Sequence, residues 1–184
     1  MKNTLLAASI VAAVSLVSVN TYAADTGGYI GASVGQTSSD ALDDLDSIPG
    51  VSVDDSDTGY KIFAGYNFNA NFAIEGFYTD LGEISATNGV TTASVSLDSL
   101  GVAGLAILPL NDDFGLFAKV GYQRWDGELK STGASSTNED GSDAVLGLGV
   151  TYDVQNISLR GEFERYAIDG DDVDLLSVGI AYNF

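Results

Sequence analysis

Leu176-Ser177-Val178-Gly179-Ile180-Ala181-Tyr182-Asn183-Phe184 is the stretch that decides how the rest of the chain is read. Leu176, Val178, Ile180, Tyr182 and Phe184 are large and apolar, while the residues between them are small or polar. A strand places alternate side chains on opposite faces, so one face of this stretch wants an apolar medium and the other wants water or a packed polar interior. An open strand this apolar is an aggregation hazard. The hazard vanishes if the strand closes a barrel whose apolar face meets lipid.

Composition supports strands and excludes several functions. The 184 residues suffice for one domain. Seven Lys+Arg against 26 Asp+Glu give a net charge of −19. Nucleic acid is excluded as a partner, because phosphate binding needs a basic surface; docking on anionic lipid through basic residues is excluded likewise. Cysteine is absent, so there is no disulfide framework and no thiolate metal site. Histidine is absent too, which removes the usual general base and the commonest transition-metal ligand. With 22 Gly and 2 Pro the chain suits strands and turns rather than a helical bundle.

The first residues are an address. Lys2 precedes an apolar run from Leu5 to Val19, broken only by Ser9, Ser15 and Ser18, and Thr21-Tyr22-Ala23 offers small residues for a cut after Ala23. The run is shorter than the ~20 residues of a spanning helix. Residues 1–23 therefore read as a secretory signal peptide and 24–184 as the folded domain.

Eight segments alternate: Tyr29 to Gln36, Thr58 to Phe68, Phe72 to about Leu81, Ala93 to Leu108, Phe114 to Asp126, Ala144 to Tyr152, Ile157 to Ile168, and the last one. In the fourth, Val95, Leu97, Leu105 and Ile107 share one parity but Leu100 and Val102 take the other, which predicts a bulge there. The links at 69–71, 109–113 and 153–156 are short; those at roughly 37–57, 82–92 and 127–143 are longer and polar, and the one at 169–172 is short. Short turns on one end and loops on the other predict an all-β, eight-stranded, antiparallel up-and-down transmembrane β-barrel. Tyr66, Phe68, Phe72, Phe114, Tyr152, Tyr182 and Phe184 cluster by the short turns. Tyr60, Tyr78, Trp125 and Tyr166 lie towards the loops, so two interfacial belts are expected.

An eight-stranded barrel is just wide enough for its side chains to fill it. The inward parity collects Lys61, Lys119 and Arg160 with Glu75, Glu162 and Glu164. Buried charges must pair. A balanced inward set in an acidic chain therefore predicts a salt-bridged plug, with Arg160 and either Glu75 or Glu162 at its centre. Any of the six that reach a rim should be Lys61 and Glu164.

Gly28-Tyr29-Ile30-Gly31-Ala32, Ala64-Gly65-Tyr66-Asn67-Phe68-Asn69, Phe72-Ala73-Ile74-Glu75-Gly76-Phe77-Tyr78 and Ser177 to Phe184 together resemble the OmpA-like family of outer-membrane β-barrels. The resemblance implies a lumenal ion pair at Glu75 and Arg160. It implies surroundings of outer-membrane lipid and lipopolysaccharide in a Gram-negative cell outer membrane, reached through the periplasm. It also implies that Val178, Ile180, Tyr182 and Phe184 form the signal read by the outer-membrane assembly machinery. Two departures stand out. The chain ends with the barrel, where larger members carry a periplasmic peptidoglycan-binding domain. Leu105 and Thr151 stand where some members have a second lumenal charged pair.

No nucleophile sits beside a base, so no enzyme and no cofactor are expected. Asp40, Asp43, Asp44, Asp46, Asp54, Asp55 and Asp57, with Asn138 to Gly141 and Asp169 to Asp172, make acidic loops. Their spacing matches no calcium loop, and they read as a solvated face with no metal. Two roles fit: a structural or small-pore barrel that supports the envelope, or a surface interaction protein, an adhesin or phage receptor, whose loops meet an external ligand.

Overall fold

Period-two alternation organises the lipid-crossing parts of the described strands, which begin at Gly27 and end at Asn183. A computed structural model describes residues 26–39, 52–54, 56–87, 92–131 and 137–184. The expected signal peptide and Asp40, Asp43, Asp44, Asp46 and Asp55 lie outside the described residues. The strands are β1 (Gly27–Ser39), β2 (Ser52–Asp54), β3 (Ser56–Asn69), β4 (Phe72–Thr87), β5 (Thr92–Pro109), β6 (Phe114–Ser131), β7 (Thr137–Val154), β8 (Ile157–Ile168) and β9 (Asp171–Asn183). Each long strand pairs antiparallel with its neighbours, and β1 pairs with both β3 and β9, which closes an eight-stranded barrel. Short β2 pairs with β4 beyond the point where β3 leaves it.

Asparagines build two of the tight turns. Asn69 Oδ1 accepts from the N–H groups of Asn71 and Phe72, at 2.8 and 3.0 Å. Asn111 Oδ1 accepts from those of Asp113 and Phe114, both at 2.9 Å. These side chains mimic a backbone turn and need no long loop. At the opposite end Asp169 and Gly170, with φ of 51° and 95°, make the two-residue link between β8 and β9.

The barrel wall is taller than sequence periodicity indicates. β5, β6 and β7 have 18 residues each, against ~9–11 needed to cross a bilayer. The links expected at 82–92 and 127–143 are largely strand. Above the bilayer neither face needs to be apolar, so the alternation that marks a strand fades. Asp80, Asp98, Asp126 and Asp140 are successive cross-strand partners from β4 to β7 and mark the upper limit of the apolar exterior. Below them the outward residues include Val178, 66% exposed, and Val120, 63% exposed. Aliphatic groups this open in a folded chain are lipid-facing.

The bulge expected in Ala93 to Leu108 lies instead on the neighbouring strand. β5 pairs with β6 without a break from Ala93 to Pro109. The register shift falls in β4, between Asp80 and Glu83. Both faces of β5 are apolar because Leu97 and Leu105 fill the lumen while Leu100 and Val102 meet lipid. Two apolar media, not a slip, produce the mixed parity.

Gly82 occupies the β4 bulge with φ +82°, and a Cβ there would lie 2.7 Å from Asp57 Oδ2. Asp57 accepts from the N–H groups of Thr58 (2.7 Å) and Glu83 (2.8 Å), and those bonds hold its carboxyl below the ordinary value of 3.8. A depressed carboxyl pKa stabilises the fold above the unfolded value and loses that contribution as pH falls through the folded one. Protection of the Glu83 amide against exchange, relative to its intrinsic rate at each pH, should therefore fall below about pH 4. Asp57→Asn should show lower protection at neutral pH and no further loss of protection in acid.

The turn-end belt is as expected, with Tyr66 against Phe68 and Phe114 against Tyr152, ring centroids 5.6 and 4.7 Å apart. The loop-end belt is not. Tyr60 and Tyr78 face out, joined by Tyr122, but Trp125 and Tyr166 point into the lumen at 5% and 0% exposure. Their odd-even position relative to Lys119 and Glu164 places them on the inner face. Trp125 is the one tryptophan of the chain, so its fluorescence should resist quenching by brominated lipid. Quenching as strong as for a lipid-facing Trp placed at Tyr122 would contradict this placement.

Candidate functional site

The six inward charges meet in a single layer. Lys61, Glu75 and Glu164 are 1%, 0% and 0% exposed, so neither Lys61 nor Glu164 reaches a rim. Lys119 Nζ contacts all three carboxylates: Glu75 at 2.8 Å, Glu162 at 2.5 Å and Glu164 at 2.9 Å. Lys61 Nζ lies 2.5 Å from Glu162 and also pairs with Glu164. Arg160 sits 2.7 Å from Glu75 Oε2 and 3.5 Å from Glu162 Oε1. Tyr29 donates its hydroxyl to Glu75 at 3.0 Å. The expected Arg160–Glu75 contact is made, but Lys119 and Glu162 form the hub.

Aromatic rings frame this layer. The Arg160 guanidinium lies between Phe63 and Phe117, 4.5 and 4.6 Å from their ring centroids. Lys61 is 5.5 Å from the Phe63 centroid and Lys119 5.6 Å from that of Phe77. Cation–π attraction strengthens where water is excluded. Sequence reasoning singled out none of these phenyls. Parity was the available signal, since Phe63 stands two residues from Lys61, and Phe77 and Phe117 two residues from Glu75 and Lys119.

Five inward rings lie over a glycine on the adjacent strand; Tyr166, between Val145 and Val173, does not. Tyr29 is the partner of Gly65, Phe63 of Gly31, Phe77 of Gly101, and both Phe117 and Trp125 pair with glycines, Gly149 and Gly141. A Cβ at any of the five would come within 2.2–2.5 Å of the ring atoms. Part of the abundance of glycine in the strands thus has a packing cause: in a barrel this narrow these five rings fit because the facing residue has no side chain.

Outwards of the charges, Thr79 and Tyr166 share a hydrogen bond at 3.0 Å, Gln123 donates to Ala167 O at 3.0 Å, and Ser99 pairs with Gln123. Leu81, Leu97, Ile168, Val173 and Leu175 fill the remaining outer lumen. The opposite half is open. A cavity of about 650 Å³ runs in from the short turns to Arg160, with Leu105, Phe117, Thr151 and Ser158 in its walls and Asn67, Asn111 and Asn183 among the residues that line it. Leu105 is buried within it and Thr151 half-buried, at the places where the resemblance implied a second charged pair. Among the described residues no three acidic side chains are grouped as metal ligands.

Val178, Ile180 and Tyr182 face outwards beside β1, the strand that closes the barrel. Phe184 follows the end of β9, its ring against Gly28 and 6.3 Å from that of Tyr182.

The chain is similar to Outer membrane protein A of Escherichia coli O157:H7, at 24% identity over 135 residues. That alignment covers 68% of this chain and 39% of the relative, so the chain spans about two-fifths of that protein's length. Neisserial surface protein A shares the fold at TM-score 0.61 and 17% identity, over 86% of this chain and 97% of that one. OprG of Pseudomonas aeruginosa does so at TM-score 0.61 and 14% identity, over 88% and 97%. Ail of Yersinia pestis, in complex with the heparin analogue sucrose octasulfate, matches at TM-score 0.55 and 16% identity, over 86% and 99%. Residues 9–184 match the family described as outer membrane protein β-barrel domain, and the chain belongs to that family, an OmpA-like barrel of the Gram-negative outer membrane.

Proposed function

We propose that this barrel is a non-enzymatic structural protein of the envelope whose lumen is closed to solutes. The observation that carries the reading is the charge layer: three cations and three carboxylates, interlocked and buried across the lumen. Pulling such groups apart to open a path would leave unpaired charges in a dry interior, which costs several kcal/mol. Purified protein in a planar bilayer should pass no sustained current, and cells without it should become more permeable to detergent. Long-lived porin-sized current steps would overturn the closed lumen. Val178, Ile180, Tyr182 and Phe184 serve in this reading as the segment recognised during assembly, next to the β1–β9 seam.

A second reading is a surface interaction protein. It is favoured by the tall wall of β4 to β7 with its cross-strand row Asp80, Asp98, Asp126 and Asp140. This acidic wall would repel a sulfated sugar of the kind bound to Ail and would suit a basic partner. Trimming β5 to β7 above the aspartate row should abolish attachment while leaving envelope integrity intact; if attachment survives, the wall is not the binding surface.

A further inference from the structure

The turn-end cavity has features that a merely unfilled lumen does not need. Its volume of about 650 Å³ falls in the range of small-molecule sites, ~300–1,000 Å³. At its inner end is Arg160, 7% exposed. Of the three lumenal cations Arg160 is the least neutralised. Lys119 has three carboxylate oxygens within 2.9 Å and Lys61 pairs closely with two, whereas Arg160 has one at 2.7 Å and the next at 3.5 Å. Among the described residues no acceptor bonds Arg160 Nε. A buried donor without a partner costs ~1–3 kcal/mol, so the guanidinium gains from a further anion.

The cavity also carries the opposite charge nearer its mouth. Thr151 is the cross-strand partner of Arg160, and Asp153, two residues along the same strand face, pairs with Ser158. Two residues of strand are roughly 6.6–6.8 Å. The termini of an extended dipeptide stand about as far apart. Leu105, Ile107 and Phe117 add apolar wall to the same cavity.

We propose that this vestibule binds a zwitterion of dipeptide size that enters from the periplasmic side, where barrels of this kind turn tightly. Its carboxylate meets Arg160 beside the Thr151 hydroxyl, its ammonium meets Asp153, and small side chains lie on the apolar wall. The charge layer beyond Arg160 stops it there, so the site holds its ligand without conducting it.

The test uses the whole barrel in lipid nanodiscs and Ala-Ala as the probe, followed by NMR at the Ala181 methyl and the Arg160 Nε–H. Saturable shifts at both are expected with Ala-Ala. N-acetyl-Ala-Ala and Ala-Ala amide should each bind at least about tenfold more weakly. These capped probes remove one charge at a time and leave Arg160, which the charge layer needs, in place. Asp153→Asn should abolish the penalty for acetylation and keep the penalty for amidation. The proposal is overturned if Ala-Ala gives no saturable shift, if capped and free peptides bind alike, or if the shifts fall only outside the vestibule. None of those results would bear on the closed lumen, which bilayer current decides.

Discussion

Arg160→Ala lowers the unfolding free energy of the barrel in detergent micelles by about 3–5 kcal/mol, the cost of breaking a buried ion pair by removing one partner. The loss has three parts. Glu75 keeps Lys119 at 2.8 Å but loses its contact at 2.7 Å, and the carboxylates then outnumber the cations in the lumen. The faces of Phe63 and Phe117 lose the guanidinium between them. The vacated space adds a cavity term. Arg160→Lys should recover part of the loss, since it restores the charge but not the plane that fits between two rings. Combining Arg160→Ala with Glu75→Gln should cost less than the sum of the two single changes, because each removes the partner the other leaves exposed. Urea unfolding followed by tryptophan fluorescence measures all four proteins. A change below about 1 kcal/mol for Arg160→Ala would mean that water already neutralises the layer.

Gly149→Ala is the second large effect, and it adds one methyl group. A Cβ there would lie 2.2 Å from Phe117 Cζ and 2.8 Å from the carbonyl oxygen of Gly161. The ring must leave its place, and it cannot do so without disturbing Arg160, which lies over it 4.6 Å from its centroid. The backbone oxygen has little room to move. Overpacking of this sort costs about 1–3 kcal/mol, and the coupling to the charge layer should place this site at the upper end. Phe117→Leu shortens the intruding group, so Gly149→Ala with Phe117→Leu should be more stable than Gly149→Ala alone. Equal stability of those two proteins would show that the clash is with the Gly161 carbonyl rather than the ring. The same substitution at outward Gly76, whose nearest neighbour would be 3.9 Å away, should be close to neutral and serves as the control.

Much of the architecture was legible because a lipid-facing strand must be apolar at every second residue. Ile157 to Ile168 alternates cleanly, and β8 has those bounds. Asn69 to Asn71 reads as a turn for the same reason that it is one: the Asn69 carboxamide takes two backbone N–H groups. Legibility ends where the solvent changes. Above Asp80 and Asp98 neither face of a strand needs to be greasy, so the outer ends of β4 to β7 read as loops. In β5 two apolar environments on opposite faces mimic a shift of register. Distance along the chain puts Trp125 and Tyr166 in a belt, whereas their parity places them inside.

The amino-acid sequence alone determined the number of lipid-crossing strands, their direction and which side chains point inwards. Those follow from local alternation and turn chemistry, and a one-residue slip would reverse every side chain. Only the tertiary structure decided who meets whom across the lumen. Lys61 lies 101 residues from Glu162 and Lys119 lies 45 from Glu164, so their pairing depends on the stagger with which the barrel closes. That stagger is a property of all eight strands at once. It placed Lys119 and Glu162 at the hub, slid five rings over glycines, and left the turn-end half of the lumen open as far as Arg160.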